Sequence, residues 1–268
     1  MAVRIVWKGY HPLIQRFVMI WNAYGPLTAF DRLEYEQMRK IMNIAFPRFS
    51  WAWWSKGEEW IYQAVQKRIR GQPLNTEEQE IIEEIEGIHV PDYVEMIARS
   101  AEEDIRRGWI RITRAFDEVT SKVYGPHASF GELSVYTAVK LGRGAEGTTT
   151  PAGEIVIMVG MDKNSGRAAG TRVLPHEIIH VLNKKSGLSN ILAKIKAKTG
   201  QNAEEAFTNT ITNLVLWRAG VQESMFEGYY QPSWEDLCKL EDRMREIVKE
   251  WWLNGGDLAK MLEGRLAR

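Results

Sequence analysis

Cysteine is almost absent: Cys238 is the single one in 268 residues. No intrachain disulfide and no cysteine-built metal site can therefore form. An excess of charge of either sign is also missing, with Lys+Arg and Asp+Glu at 35 each and a formal net charge of +0. Dedicated nucleic-acid binders usually carry a basic excess, so no nucleic-acid partner is expected. No apolar run reaches the roughly 18 residues a membrane helix needs, so no membrane is expected either. The apolar stretch at 17–30 (FVMIWNAYGPLTAF) is broken by Asn22, Gly25 and Pro26 and followed by Asp31-Arg32. A secretory signal would show a cleaner apolar region and a small-residue cleavage site, so the expected compartment is cytoplasmic. What is present is globular: 44% hydrophobic, 26% charged and 10% aromatic residues, in a chain long enough to bury a core.

Hydrophobic spacing divides the chain near residue 125. Residues 1–124 read as mostly helical, with candidate helices at 28–45, 58–70, 76–86 and 92–123. The second begins with acids and ends with bases, as the helix dipole prefers, and Gly71 and Pro73 stop it. Beyond 125 the period changes. In 132–141 (ELSVYTAVKL) apolar residues alternate with others, the pattern of a half-buried strand. Residues 142–153 are rich in Gly and Thr and read as a loop, and 154–161 (EIVIMVGM) as a second strand. Helices follow at 174–186, 188–199, 202–219 and about 233–253. The expected class is α+β, predominantly helical. The expected division is a helical region, 1–124, before a second domain, 125–268.

Residues 174–182 read Leu-Pro-His-Glu-Ile-Ile-His-Val-Leu. His176, Glu177 and His180 form the pattern H-E-x-x-H. On a helix, positions four apart lie one above the other, so both imidazoles project from one face and can reach one zinc ion. Glu177, one position round, can take a proton from a metal-bound water without being a ligand. The flanks Leu174, Ile178, Ile179, Val181 and Leu182 are apolar. Such a helix is buried, and buried imidazoles need partners, either a metal or backbone carbonyls.

A catalytic zinc site needs a third protein ligand and an open fourth position. No His, Asp or Cys lies between His180 and residue 203. The first acids downstream are Glu204 and Glu205, at the start of a helix with Asn202 as its N-cap. From Glu205 the same-face positions are Thr208, Asn209 and Thr212, a polar stripe that suits a metal centre, with Asn209 placed to orient a ligand histidine. From Glu204 the next turn is less polar. Glu205 is the first candidate and Glu204 the reserve. Capping competes for Glu205, because Asn202 followed three residues later by Glu resembles a capping box.

These residues resemble the zincin group of zinc metallopeptidases, and within it the gluzincins, in which a glutamate on a second helix completes the site. The resemblance covers roughly residues 130–230. It implies a zincin-like core, built of a small mixed sheet, an active-site helix and a glutamate helix. It implies Zn2+ held by His176, His180 and Glu205, with Glu177 as general base and acid, acting on a peptide or protein substrate. Asn209 stands where gluzincins often carry an acid. In this group the substrate lies along a sheet edge, and the strand at 154–161 is placed to be that edge or its neighbour. Related enzymes stabilise the oxyanion with a tyrosine or histidine after the glutamate. No histidine follows His180, so Tyr229 and Tyr230 are the candidates. Pro175 requires His176 to lie near the start of its helix, with Thr171 a candidate cap.

Other signals fail on context. Gly142, Gly144 and Gly147 spell a dinucleotide fingerprint, but Thr148–Thr150 and Pro151 follow rather than a helix. Asp162, Asn164 and Gly166 begin like a calcium loop, but position twelve is Val173. Trp51, Trp53, Trp54 and Trp60 read as packing residues, and the Glu run at 77–86 as a solvated helix face. The competing function is a catalytically inactive zinc-binding protein serving as a structural or interaction module.

Overall fold

A computed structural model describes residues 3–24, 32–125, 131–140, 144–150, 153–162, 165–223, 225 and 235–267. Helix dominates, with one mixed four-stranded sheet. No helix among the described residues is long and apolar enough to cross a membrane. The chain divides into two compact units. One comprises Met1–Val6, Ile105–Leu133 and Arg167–Arg268, the other Trp7–Asp104 and Ser134–Gly166. Neither follows the boundary expected near residue 125, since each draws chain from both sides of it.

The second unit holds most of the sheet and the first helices. Its elements are β1 (Arg4–Tyr10), α1 (Pro12–Tyr24), α2 (Arg32–Ala45), α3 (Pro47–Ser55), α4 (Glu58–Ile69) and α5 (Thr76–Glu86). The start of α6 (Asp92–Tyr124) follows, then β2 (Glu132–Val139), β3 (Ala145–Thr149) and β4 (Ile155–Val159). Strand order is β1-β2-β4-β3. β2 runs parallel to β4, with Tyr136 opposite Val156, and β3 runs antiparallel to it, with Gly147 opposite Ile157. Side chains two apart on a strand share a face. Tyr136 and Ala138 therefore join Val156 and Met158 in one core cluster with Leu13, Phe17, Phe49, Ile61 and Ile82 of the helices. That shared core is why the helical front and the strands do not separate at residue 125. Buried Gln15 pairs with both the N–H and the carbonyl of Val139, each at 2.8 Å.

Several expectations change here. The first 124 residues are mostly helical as expected, with one added element, β1, opening them. The Gly/Thr-rich segment read as a loop contains β3, the edge strand, so β4 is the neighbour of an edge. β2 is buried on both faces from Val135 to Val139 rather than on one. The tryptophans divide: Trp53 stacks on Phe49 with centroids 6.0 Å apart, whereas Trp51 and Trp54 stay exposed at 45% and 37%. On α5, Ile81, Ile82 and Ile85 are buried and an Asn75–Glu78 capping box stands at the start, but the Glu run is not solvated throughout, since Glu78 is buried and pairs with Lys67 at 2.5 Å.

The first unit is helical. It takes α6 from Ile105 on, the second half of α7 (Ser165–Ala168), then α8 (Leu174–Lys185), α9 (Leu188–Thr199), α10 (Ala203–Arg218), α11 (Glu235–Asn254) and α12 (Leu258–Leu266). α10 packs on α8, α9 and α11. Its residues Phe207, Ile211, Leu214 and Val215 are fully buried, as are Thr208 and Thr210. A helix buried on nearly all sides is the central element of its unit.

Candidate metal centre

The motif helix begins earlier than its sequence implies. Ser165–Ala168 make a first turn, Ala169–Val173 continue as a π-turn, and α8 follows without a break. Thr171, the candidate cap, lies inside this run, where its Oγ1 donates to the Arg167 carbonyl at 3.0 Å. Pro175 has no N–H to return to the preceding turn. The wider turn accommodates this, with the Leu174 N–H reaching back five residues to the Ala169 carbonyl. Contact with α6 presses on the same turn. A Cβ at Gly170 would lie 2.1 Å from the Ile105 carbonyl oxygen, and one at Gly108 3.0 Å from that of Arg167. Glycine at both positions lets the two backbones meet.

One turn further on, His176 and His180 stand on the same face of α8. Their Nε2 atoms are 3.0 Å apart and their rings are inclined at 76°. The first turn of α10 supplies the third group. Glu205 Oε1 lies 3.3 Å from His176 Nε2, and Glu205 Oε2 lies 3.3 Å from His180 Nε2. Among the described residues this is the one convergent group of three or more His, Cys, Asp and Glu side chains. The donor chemistry fits zinc. Four donors at about 2.0–2.1 Å in a tetrahedron sit about 3.3 Å from one another, and the observed separations lie close to that. The three side chains keep 19%, 17% and 22% of their surface exposed. Solvent therefore reaches the cluster, as an open coordination position requires.

Both candidate glutamates are engaged, in different places. Glu205 faces the two Nε2 atoms, while Glu204 Oε1 lies 3.1 Å from the other ring nitrogen of His180, Nδ1. A proton held on Nδ1 by Glu204 leaves the Nε2 lone pair for a cation. The capping alternative for Glu205 is partly realised. Its backbone N–H donates to the Asn202 side chain at 3.3 Å, while its carboxylate turns to the histidines. Asn209 does not orient a histidine. It donates to Glu241 Oε2 at 3.4 Å, because its position on α10 faces α11 rather than α8. Glu177 is 7% exposed, in the turn between the two histidines. Tyr229 and Tyr230 lie outside the described residues.

Charge is concentrated here. Burial alone lowers the His180 pKa, but its bonds to Glu204 and Glu205 and the negative charges of Glu177 and Glu205 outweigh this and raise it to about 9. Burial pushes the Glu205 carboxyl up, yet its bonds to His176 and His180 pull it well below the usual carboxylate range. The bond to His180 likewise lowers Glu204.

A buried polar chain reaches His180 from behind. The Tyr124 hydroxyl donates to Asn183 Oδ1 at 2.7 Å, and Asn183 Nδ2 donates to Thr208 Oγ1 at 3.1 Å. Thr208 Oγ1 stands 3.5 Å from His180 Nδ1, at the outer limit of a hydrogen bond. The stripe below Glu205 pointed to Thr208. Asn183 and Tyr124 were missed, although an asparagine on an apolar helix is itself a signal of buried pairing.

None of the protein-family models, curated proteins or solved structures compared with this chain matches it. Its function has to be argued from the site itself.

Proposed function

We propose that this chain is a zinc-dependent, gluzincin-like metallopeptidase acting on a peptide or protein substrate. The observation that carries the reading is the convergence of His176 Nε2, His180 Nε2 and the Glu205 carboxylate within hydrogen-bonding range of one another. Two histidines of an H-E-x-x-H helix and one glutamate from a second helix are a three-ligand set with one position left over. When bound there, zinc supplies Lewis-acid activation of a water and of the scissile carbonyl.

The chain's own residues do the rest. Glu204 holds the proton of His180 at Nδ1 and so keeps Nε2 turned towards Glu205. Glu177 accepts a proton from the attacking water on a carboxylate oxygen and passes it to the leaving amine. Its low exposure supports that role, because a base shielded from bulk water keeps the proton for the amine.

Elemental analysis of purified protein tests the binding step, and turnover of a peptide library tests the chemistry. Equimolar zinc is expected in the wild type and none in His176→Ala or Glu205→Ala. Glu177→Gln should keep the metal and lose turnover. Zinc without turnover in the wild type would favour the inactive zinc-binding alternative, and absence of zinc under all conditions would end both readings.

A further inference from the structure

A pocket of about 320 Å³ lies in the unit that holds most of the sheet. That volume is at the lower end of the range for small-molecule sites. Four stretches of the chain meet at it. From the end of α4 and the residue after it come Ile69 and Arg70, with Gln66 and Tyr62 one and two turns back on the face of Arg70 and outside the lining. On β2, Ser134 and Tyr136 share a face. Glu154 sits just before β4, and Lys8 and His11 come from β1 and the residue after it.

Glu154 is the centre of this arrangement. Only 9% of its side chain is exposed, yet it lines the pocket. One carboxylate oxygen accepts from Arg70 at 2.6 Å, and among the described residues the other accepts from the Tyr62 hydroxyl at 3.4 Å. A carboxylate that lines a pocket and takes one short donor has acceptor capacity left for a cationic group. Unused donors stand nearby. Among the described residues, the Lys8 ammonium and the Ser134 hydroxyl have no side-chain partner, and Arg70 has further N–H groups beyond the one given to Glu154. His11 accepts the Leu13 N–H at Nδ1, 3.2 Å away, and burial lowers its pKa. Ile69 and the ring of Tyr136 supply an apolar wall.

We propose that this pocket binds a free α-amino acid with an apolar side chain. Glu154 receives the ammonium group, Lys8 and Arg70 receive the carboxylate, and the side chain lies against Ile69 and Tyr136. A simple anion would meet the negative charge of Glu154, and a simple cation would leave Lys8 unused; a zwitterion suits both. The proposal does not rest on the metal reading.

Equilibrium dialysis of the full chain against labelled L-leucine, L-methionine and L-phenylalanine tests it, with isocaproate and isoamylamine as the acid-only and amine-only counterparts of leucine. At least one amino acid should bind at equimolar stoichiometry. Each counterpart of leucine should bind roughly tenfold or more weakly than leucine. Glu154→Gln should weaken binding by roughly the same factor. Lys8 is exposed, so Lys8→Ala keeps the fold and should also weaken binding, which preserves the test if Glu154→Gln does not fold. Retention of none of the three amino acids at millimolar concentration would overturn the proposal. So would isocaproate binding as tightly as leucine, or unchanged binding in a folded Lys8→Ala.

Discussion

Glu204 Oε1 lies 3.1 Å from His180 Nδ1, on the nitrogen that does not face Glu205. Two adjacent glutamates on one helix thus grip the same imidazole from its two nitrogens. The pairing sets the tautomer of His180 and raises the basicity of its Nε2. Glu204→Gln should weaken zinc binding by about 10- to 100-fold without abolishing it. Glu205→Ala should abolish stoichiometric binding. A chelator competition titration separates the two, and equal losses in both variants would show that Glu204 is itself a ligand.

On the proposed zinc reading, the same contacts should give metal-free and zinc-loaded protein opposite pH trends. In the metal-free chain the His180 pKa is raised from 6.5 to about 9. A raised folded-state pKa means that the bound proton stabilises the fold. That contribution is fully present below pH 6.5 and is lost as the pH climbs through about 9. Zinc needs the unprotonated nitrogen, so its affinity rises over the same window. Thermal unfolding of chelator-treated and zinc-loaded samples from pH 6.5 to 9 should show the gap between the two melting temperatures widening. A constant gap would mean that His180 does not exchange its proton for metal.

The Tyr124 hydroxyl, 2.7 Å from Asn183 Oδ1, begins the buried chain that ends at Thr208 and His180. Removing it in Tyr124→Phe takes a donor from a buried amide oxygen, which costs about 1–3 kcal/mol. Zinc stoichiometry should be unchanged, because Glu204 still holds His180. Urea unfolding and metal content, measured together, check both halves. Loss of zinc in a folded Tyr124→Phe would make the chain part of the metal site instead of its support.

The meeting of His176, His180 and Glu205 was legible because its information is local. Four-residue spacing on a helix fixes which side chains share a face, and residue chemistry names the ligand types. The roles of Glu204 and Glu205 were legible only as a choice between two, since the rotation of α10 about its own axis decides which carboxylate faces which nitrogen. Asn209 was misjudged for the same reason, as α11 takes that face. The π-turn before Pro175 is set by the approach of Gly170 to Ile105, a contact between residues far apart in sequence. β3 was read as a loop because Gly147, Thr148 and Thr149 give an edge strand no apolar pattern. Tyr62, Gln66, Arg70 and Glu154 gave no motif at all, because their meeting depends on how α4 lies across the sheet.

Glycine positions on the helices offer the sharpest contrast in stability. At Gly170 an added methyl would meet the Ile105 carbonyl carbon at 2.8 Å and its oxygen at 2.1 Å, and backbone atoms cannot rotate away. At Gly264, within α12, the same methyl would meet nothing within 4 Å. Gly170→Ala should therefore destabilise by about 1–3 kcal/mol or more through overpacking. It should also weaken zinc binding, because the displaced turn leads directly into Pro175 and His176. Gly264→Ala should stabilise by about 0.4–1 kcal/mol, through helix propensity and a less flexible unfolded chain, and leave zinc untouched. Chemical unfolding of both variants, with zinc content measured alongside, reads the difference. Equal stability of the two would mean that α6 and the π-turn do not meet at Gly170.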